Sequence, residues 1–224
     1  MTRITSWHLV CAVALGLSGT PVWADSLCAE KALQAAADAQ LKKAEELERA
    51  GQPREAFAAA TKANGDCVSD TQRHEGVQQR TAKAIGAEEE KKARLEDAFT
   101  WYVRAKAPAD AGRMQRRLVE AKPDDINTLS HAIDYFSQQN DKAQEEAMRA
   151  QARKNVEQAL AEEEKRFASF SKDSLHELGR ARDWAYYAKT GEDRIRARAA
   201  QRGDTLAAED GRKFLRLAMS YYEQ

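Results

Sequence analysis

Apolar residues recur every three or four positions along almost the whole chain, and this spacing predicts α-helices. Runs that alternate apolar and polar residues over a β-branched stretch, which would predict strands, are absent from the sequence. The first helical segment covers residues 28–49, and its apolar stripe consists of Leu33, Ala37, Leu41, Ala44 and Leu47. We therefore expect an all-α protein.

Glycine, proline and capping residues divide this pattern into separate helices. The stretch SDTQ predicts a capping box, with Ser69 as the N-cap residue and Gln72 three positions later. The predicted helices cover approximately residues 28–49, 54–63, 70–92, 95–105, 109–121, 126–137, 141–170, 174–189, 192–202 and 205–223. The helix over 141–170 is much longer than the others.

The N-terminal residues show a pattern of their own, which is typical of a secretory signal peptide. The apolar run at 9–17 is much shorter than the ~20 residues that span a bilayer. It is followed by Val22 and Ala24 at the positions that a signal peptidase reads. We expect cleavage after Ala24, so that a single helical domain, residues 25–224, is periplasmic or secreted.

The balance of basic and acidic residues bears on which partners the protein could bind. The chain has 36 basic and 36 acidic residues, and removal of residues 1–24 leaves a net charge of about −1. Such a balance provides no field that would attract nucleic acid or an anionic membrane surface. No second apolar run follows the N-terminal one, so we expect no membrane insertion after cleavage.

Two cysteines remain after cleavage, Cys28 and Cys67. In an oxidising compartment such a pair favours a disulfide over a metal site. A helical hairpin that turns near residues 50–53 would bring the two ends of this segment together. Closing a loop of about 39 residues would stabilise the fold by roughly 4 kcal/mol. The alternative is a pair of buried free thiols.

The sequence also shows a recurring order of small and large apolar residues at the scale of a pair of helices. The stretch 44–63 places a small residue, a large apolar residue, a turn glycine and two alanines in the order Ala44, Leu47, Gly51, Ala56 and Ala63. This order resembles the helix–turn–helix unit of tetratricopeptide repeats. The stretch 84–105 is similar, although KKA replaces its turn glycine. Its matching residues are Ile85, Gly86, Ala98, Tyr102 and Ala105.

Two further stretches resemble the same family. Pro123 precedes a first helix that contains Leu129, Ala132 and Phe136. The last stretch, 213–224, matches a first helix through Phe214, Leu217, Ala218, Tyr221 and Tyr222. The resemblance implies a right-handed α-solenoid of stacked, irregular hairpins that curve around a groove. The alternatives are an irregular helical bundle and an extended coiled coil.

The sequence contains no motif that predicts an enzyme. The histidines His74, His131 and His176 do not have the spacing of a metal site, and no phosphate-binding loop or nucleophile elbow is present. We therefore expect no catalytic residue, cofactor or bound metal.

These observations favour a protein–protein interaction scaffold or adaptor in the cell envelope. Its partner-binding candidates are the clustered aromatic residues Trp101, Tyr102, Trp184, Tyr186 and Tyr187. The same residues would otherwise fill helix–helix cores. Two other functions stay open: a bundle that self-associates through its C-terminal helix, and an envelope hydrolase of a type without a recognisable motif.

Overall fold

A computed structural model describes residues 31–168, 174–206 and 208–219. These residues form helices joined by short turns, which confirms the all-α prediction. The helices are α1 Lys31–Arg49, α2 Pro53–Lys62, α3 Thr71–Lys91, α4 Leu95–Arg104, α5 Pro108–Ala121, α6 Ile126–Gln138, α7 Lys142–Ala168, α8 Ser174–Ala188, α9 Glu192–Thr205 and α10 Ala208–Met219. The segment with the signal-peptide pattern, 1–24, lies outside the described residues.

The chain divides into two compact units, and the boundary falls after Gln78, within α3. In the first unit α1 and α2 form an antiparallel hairpin that turns at Gly51, whose φ of 72° suits glycine. The hairpin buries a core composed mostly of small residues, which lets the helix backbones approach closely. Its members are Ala37, Leu41, Ala44, Ala59, Ala60, Ala63, Cys67, Val68 and Val77.

The start of α3 corrects the predicted capping box. Asp70, and not Ser69, caps this helix, because its carboxylate accepts a hydrogen bond from the backbone N–H of Arg73 at 2.9 Å. Ser69 instead donates both its backbone N–H and its hydroxyl to Asp38 of α1, at 2.9 and 3.0 Å. The serine therefore ties the loop before α3 to the first helix of the unit.

In the second unit each helix from α4 onwards packs against the next one in the chain. In addition, α6 contacts α8, and α8 contacts α10. A small core between α4 and α5 contains Ala98, Tyr102, Ala111 and Met114. The larger core has as its main apolar members Leu129, Ile133, Phe136, Val156, Leu160, Leu178, Trp184, Ile195 and Phe214.

Five of the described helices are followed by a single residue in the left-handed region after the last helical turn. After α3 this residue is Ala93, with φ 58°. The next residue, Arg94, donates its backbone N–H to the carbonyl of Glu89 at 2.9 Å, as in a Schellman motif. Left-handed residues occupy the equivalent place after α1, α3, α4, α6 and α8, and they are Gly51, Ala93, Lys106, Asn140 and Lys189.

A buried carboxylate joins α7 to α9. Glu163 is fully buried, and its oxygens accept hydrogen bonds from Arg202 at 2.9 Å and from Arg198 at 3.3 Å. The Arg202 guanidinium also lies 3.8 Å from the centre of the Phe167 ring. Removing one partner of such a buried pair would leave an uncompensated charge, so this cluster favours one arrangement of the two helices.

Helix α10 packs its apolar face on the rest of the second unit. Phe214 is 4% exposed and meets the edge of Phe167 with ring centres 6.4 Å apart. Of the other residues on the predicted stripe, Ala218 is buried and Leu217 packs against the core, whereas Tyr221 and Tyr222 lie outside the described residues. None of the described helices is long and apolar enough to cross a membrane.

Candidate functional site

The second unit has three cavities that adjoin one another through shared lining residues. The first, of about 410 Å³, lies between the start of α4 and the end of α5. The second, of about 630 Å³, is bounded by α4, α5 and α6 and shares Glu96, Leu118 and Lys122 with the first. The third, of about 800 Å³, lies among α6, α7, α8 and α9 and shares Asp134 with the second. We call them the first, central and last cavities, and together the groove.

The last cavity is built around two neighbouring tyrosines near the end of α8. Tyr186 is 64% exposed, and its ring meets that of Tyr187 edge to face, with centres 5.1 Å apart. Arg149 of α7 donates to the backbone carbonyl of Tyr187 at 2.7 Å and to the Glu145 carboxylate at 2.7 Å. The hydrogen bonding of Arg149 to Glu145, with a further hydrogen bond from Lys142, lowers the pKa of Glu145.

The turn from α8 to α9 forms another wall of the last cavity. It contains Lys189 and Gly191, both with positive φ. The lining of the whole cavity has three basic and three acidic residues, so the cavity has no excess of either charge. The charged residues on its lining are Asp134, Arg149, Lys189, Glu192, Asp193 and Arg194.

The central cavity combines aromatic rings with polar groups. Phe99 of α4 and Tyr135 of α6 meet edge to face, with ring centres 5.3 Å apart. The Tyr135 hydroxyl donates to the backbone carbonyl of Pro108 at 3.0 Å, which fixes the position of its ring. Gln115 of α5 reaches the cavity although its side chain is only 3% exposed. Asp134 lies between this cavity and the last one.

The five aromatic residues proposed from the sequence lie in different environments. Tyr102 and Trp184 are each only 3% exposed and belong to the helix–helix cores. Trp101 is half-buried, and the Arg104 guanidinium lies 4.8 Å from its ring centre. Tyr186 and Tyr187 line the last cavity. The structure therefore brings only these two tyrosines together on an open surface.

Tyr102 belongs to a polar cluster outside the groove. Its hydroxyl donates to Glu90 at 2.8 Å, and Arg113 and Arg117 bind the same carboxylate at 2.7 and 2.8 Å. Burial, together with the hydrogen bond to Glu90, raises the pKa of Tyr102 to about 12. The hydrogen bond from Arg113 lowers the pKa of Glu90. Each charge of the cluster has its partner, so its role is to hold α3, α4 and α5 together.

The sequence reasoning missed Phe99, Gln115 and Tyr135. Phe99 lies in the same short stretch as the aromatic pair of Trp101 and Tyr102, which is the stronger signal in the sequence. A lone glutamine in a charged helix carries no signal in sequence, since only the packed structure shows that Gln115 is buried. The groove itself depends on how α4 to α9 pack against one another, which the pattern of a single helix does not show.

Cys67 is buried in the core of the first unit, and the Asn64 amide donates to its sulfur at 3.3 Å. Cys28 lies outside the described residues, so the disulfide between them stays a prediction. The neighbouring contact between Ser69 and Asp38 holds this loop against the N-terminal part of α1, close in sequence to Cys28.

Within the described ranges, no group of three or more histidine, cysteine, aspartate or glutamate side chains is arranged to hold a metal ion. His74 is buried, with its Nε2 atom 2.8 Å from the carbonyl oxygen of Ala60. His131 lines the central cavity.

The chain matches no model of a known protein family. Neither a curated protein nor a solved structure matches it. The assignment of a function therefore depends on the groove and its residues.

Proposed function

We propose that this chain is an exported, non-enzymatic helical-repeat protein that binds a peptide segment of a partner protein in the groove. It would act as a scaffold or adaptor in the cell envelope. The observation that carries the proposal is the row of three adjoining cavities, which together offer a surface from α4 to α9. A single small-molecule site would instead be one enclosed, mostly apolar pocket.

The proposed architecture is a right-handed, irregular solenoid of the tetratricopeptide type. The serial contacts of α6, α8 and α10 support it, because stacked hairpins bring alternate helices together. The close approach of Gly86 to the Tyr102 ring supports it as well. In such a stack each hairpin contributes one stripe to a shared concave surface, and an extended peptide can lie along it.

The proposed binding mode uses two features of the last cavity, its tyrosines and its charged residues. Exposed Tyr186, with Tyr187 beside it, would contact apolar parts of the peptide, because tyrosine supplies a large and rigid contact area. The charged residues of both signs around the last cavity would fix the register of the peptide through complementary pairs. Binding of this kind needs no chemistry from the protein.

Site-specific photocrosslinking in the native envelope tests the proposal. A photoreactive phenylalanine analogue replaces Tyr186, and the matched control carries it at Val103, which is 48% exposed and does not line a cavity of the groove. We expect a discrete crosslinked partner from position 186 and none from position 103. Equal patterns from both positions would contradict peptide binding in the groove.

Export is tested separately. N-terminal sequencing of the protein recovered from the periplasm or the medium should begin at Asp25, the residue after the proposed cleavage site. A chain that keeps residues 1–24 and stays in the cytoplasm would contradict the proposed location and would leave the groove unaffected.

A further inference from the structure

We infer that the central cavity selects a basic side chain of the bound peptide, and that it takes arginine in preference to lysine. This inference rests on the proposed peptide-binding function and names the chemistry that the central cavity would recognise. It follows from three features of the cavity lining: an amide that is open to the cavity, an aromatic wall and an excess of carboxylates.

The first feature is the side chain of Gln115. It is only 3% exposed, and its amide forms no hydrogen bond with the part of the chain that the structure describes. The amide atoms of Gln115 are not among the fully buried, unpaired side-chain atoms of the described residues, so they are open to the cavity. The amide faces the central cavity, so a ligand there can supply the partner. Its oxygen accepts a hydrogen bond, and a cationic side chain brings only donors.

The second feature is the pair of rings formed by Phe99 and Tyr135. Both are half-buried, and they meet edge to face in the wall of the cavity. A guanidinium or ammonium group is attracted to the face of an aromatic ring, and the planar guanidinium also stacks on it. The hydrogen bond from Tyr135 to Pro108 holds this wall in place before a ligand arrives.

The third feature is charge. Glu96 is paired with Lys122 at 3.0 Å, so these two side chains balance each other. The Asp125 carboxylate caps α6 through Thr128, and these hydrogen bonds lower its pKa, so it stays charged. The Asp134 carboxylate has no ion-pair or hydrogen-bond partner among the described residues. With histidine counted as neutral, the lining has an excess of negative charge.

These features together match arginine better than lysine. The guanidinium has five donors in a planar fork, so it can bind a carboxylate and an amide oxygen while one face stacks on a ring. The lysine ammonium is a compact point charge that satisfies the carboxylate but does not stack. A neutral side chain of the same length would leave the excess of negative charge unpaired.

The experiment is an NMR titration of the full mature chain with three peptides of sequence Ac-Gly-Ala-X-Ala-Gly-NH2. Position X is arginine, lysine or citrulline, which has the length of arginine but is neutral. We expect the arginine peptide to shift the Gln115 side-chain amide signals and the backbone signals of α4–α6. Its affinity should exceed that of the lysine peptide, and the citrulline peptide should bind about tenfold more weakly than arginine or worse.

Three variants test which residues of the central cavity contribute to arginine binding. Asp134→Asn removes an exposed charge at no expected cost to folding, and Asp204→Asn makes the same change on α9, away from the groove. We expect the first variant to weaken the arginine peptide and the second to leave its affinity unchanged. Gln115→Leu keeps the volume but removes the amide, and it should reduce the preference for arginine over lysine.

Equal binding of the arginine and citrulline peptides, or no shift at Gln115, would overturn the inference. So would equal losses in Asp134→Asn and Asp204→Asn. A partner crosslinked at position 186 but without preference for arginine would overturn the inference and leave the proposed function standing. The absence of any crosslink specific to position 186 would instead count against the proposed function.

Discussion

Gly86 lies directly against the ring of Tyr102: a Cβ atom on this glycine would come within 3.0 Å of the ring atoms Cδ1 and Cε1. The hydroxyl of the same tyrosine is held by Glu90 at 2.8 Å, so the ring has little freedom to move away. A small residue on α3 thus lets an aromatic residue of α4 fill the space between the two helices.

We predict that Gly86→Ala and Gly179→Ala have opposite effects on stability. Both glycines lie inside helices, where alanine is favoured by about 1 kcal/mol. A Cβ atom on Gly179 meets nothing within 4 Å, so this variant should gain that amount. At Gly86 the crowded ring should outweigh the gain and cost about 1–2 kcal/mol net. Urea unfolding monitored by circular dichroism measures both, and equal stabilisation would refute the close contact.

The turn after α3 leads to a second prediction. Ala93 has a φ of 58°, a conformation that costs a residue with a Cβ atom roughly 1–2 kcal/mol. Ala93→Gly should therefore raise the free energy of unfolding by about 0.5–1 kcal/mol. Ala161 is an exposed alanine inside α7, and the same change there should lower it by about 1 kcal/mol. A loss of stability in both variants would contradict the left-handed turn.

A third prediction concerns stability at alkaline pH. The pKa of Tyr102 is raised in the folded protein to about 12 from an ordinary value of 10, mainly by burial and then by Glu90. Its contribution to stability is fully present below pH 10 and is lost as pH rises towards 12. Tyr102→Phe should lack this loss. Its urea midpoint of unfolding, measured between pH 10 and pH 12, should therefore fall less steeply with pH than that of the parent chain. Tyr135, whose pKa burial also raises, is present in both proteins, so the difference reports on Tyr102.

The C-terminal helix is the subject of a fourth prediction. Phe214 is 4% exposed and packs edge to face on Phe167, so Phe214→Ala should destabilise the protein by about 3–5 kcal/mol. Met219 on the same helix is 62% exposed, and Met219→Ala should change stability by less than about 0.5 kcal/mol. Thermal unfolding compares the two. Deletion of residues 213–224 should be at least as costly as Phe214→Ala, because it also removes Leu217 from its packing against the core.

The disulfide gives a fifth prediction. Under denaturing, non-reducing conditions, alkylation should leave the mass of the mature protein unchanged, and after reduction it should add two alkyl groups, at Cys28 and Cys67. The variant with both cysteines changed to serine should lose roughly 4 kcal/mol in the chain-entropy model. Two alkyl groups before reduction would show free thiols instead.

The helices were predictable because their cause is local. An apolar stripe with helical period, interrupted by glycine and proline, placed the ends of most helices within three residues of those in the structure. The N-cap residue of α3 differs from the predicted one, although the bounds of this helix agree. Ser69 and Asp70 are both good N-cap residues, and the choice between them depends on Asp38, which comes from α1.

The turns show a second limit of sequence reasoning. Glycine marks the left-handed residue after α1, as expected, whereas Ala93, Lys106 and Lys189 take the same conformation elsewhere. Residues with a Cβ atom adopt it because the packing of the flanking helices compensates for the local cost. The absence of a turn glycine in the KKA stretch therefore did not prevent a tight turn.

By itself, the sequence determined that the protein is helical, where most helices begin and end, and that its charges balance. These properties follow from neighbouring residues and from composition. Only the tertiary structure decided which aromatic residues enter the core, such as Tyr102 and Trp184, and which stay open, such as Tyr186. It also decided that Gln115 lines a cavity beside Phe99, since burial depends on how separate helices pack against one another.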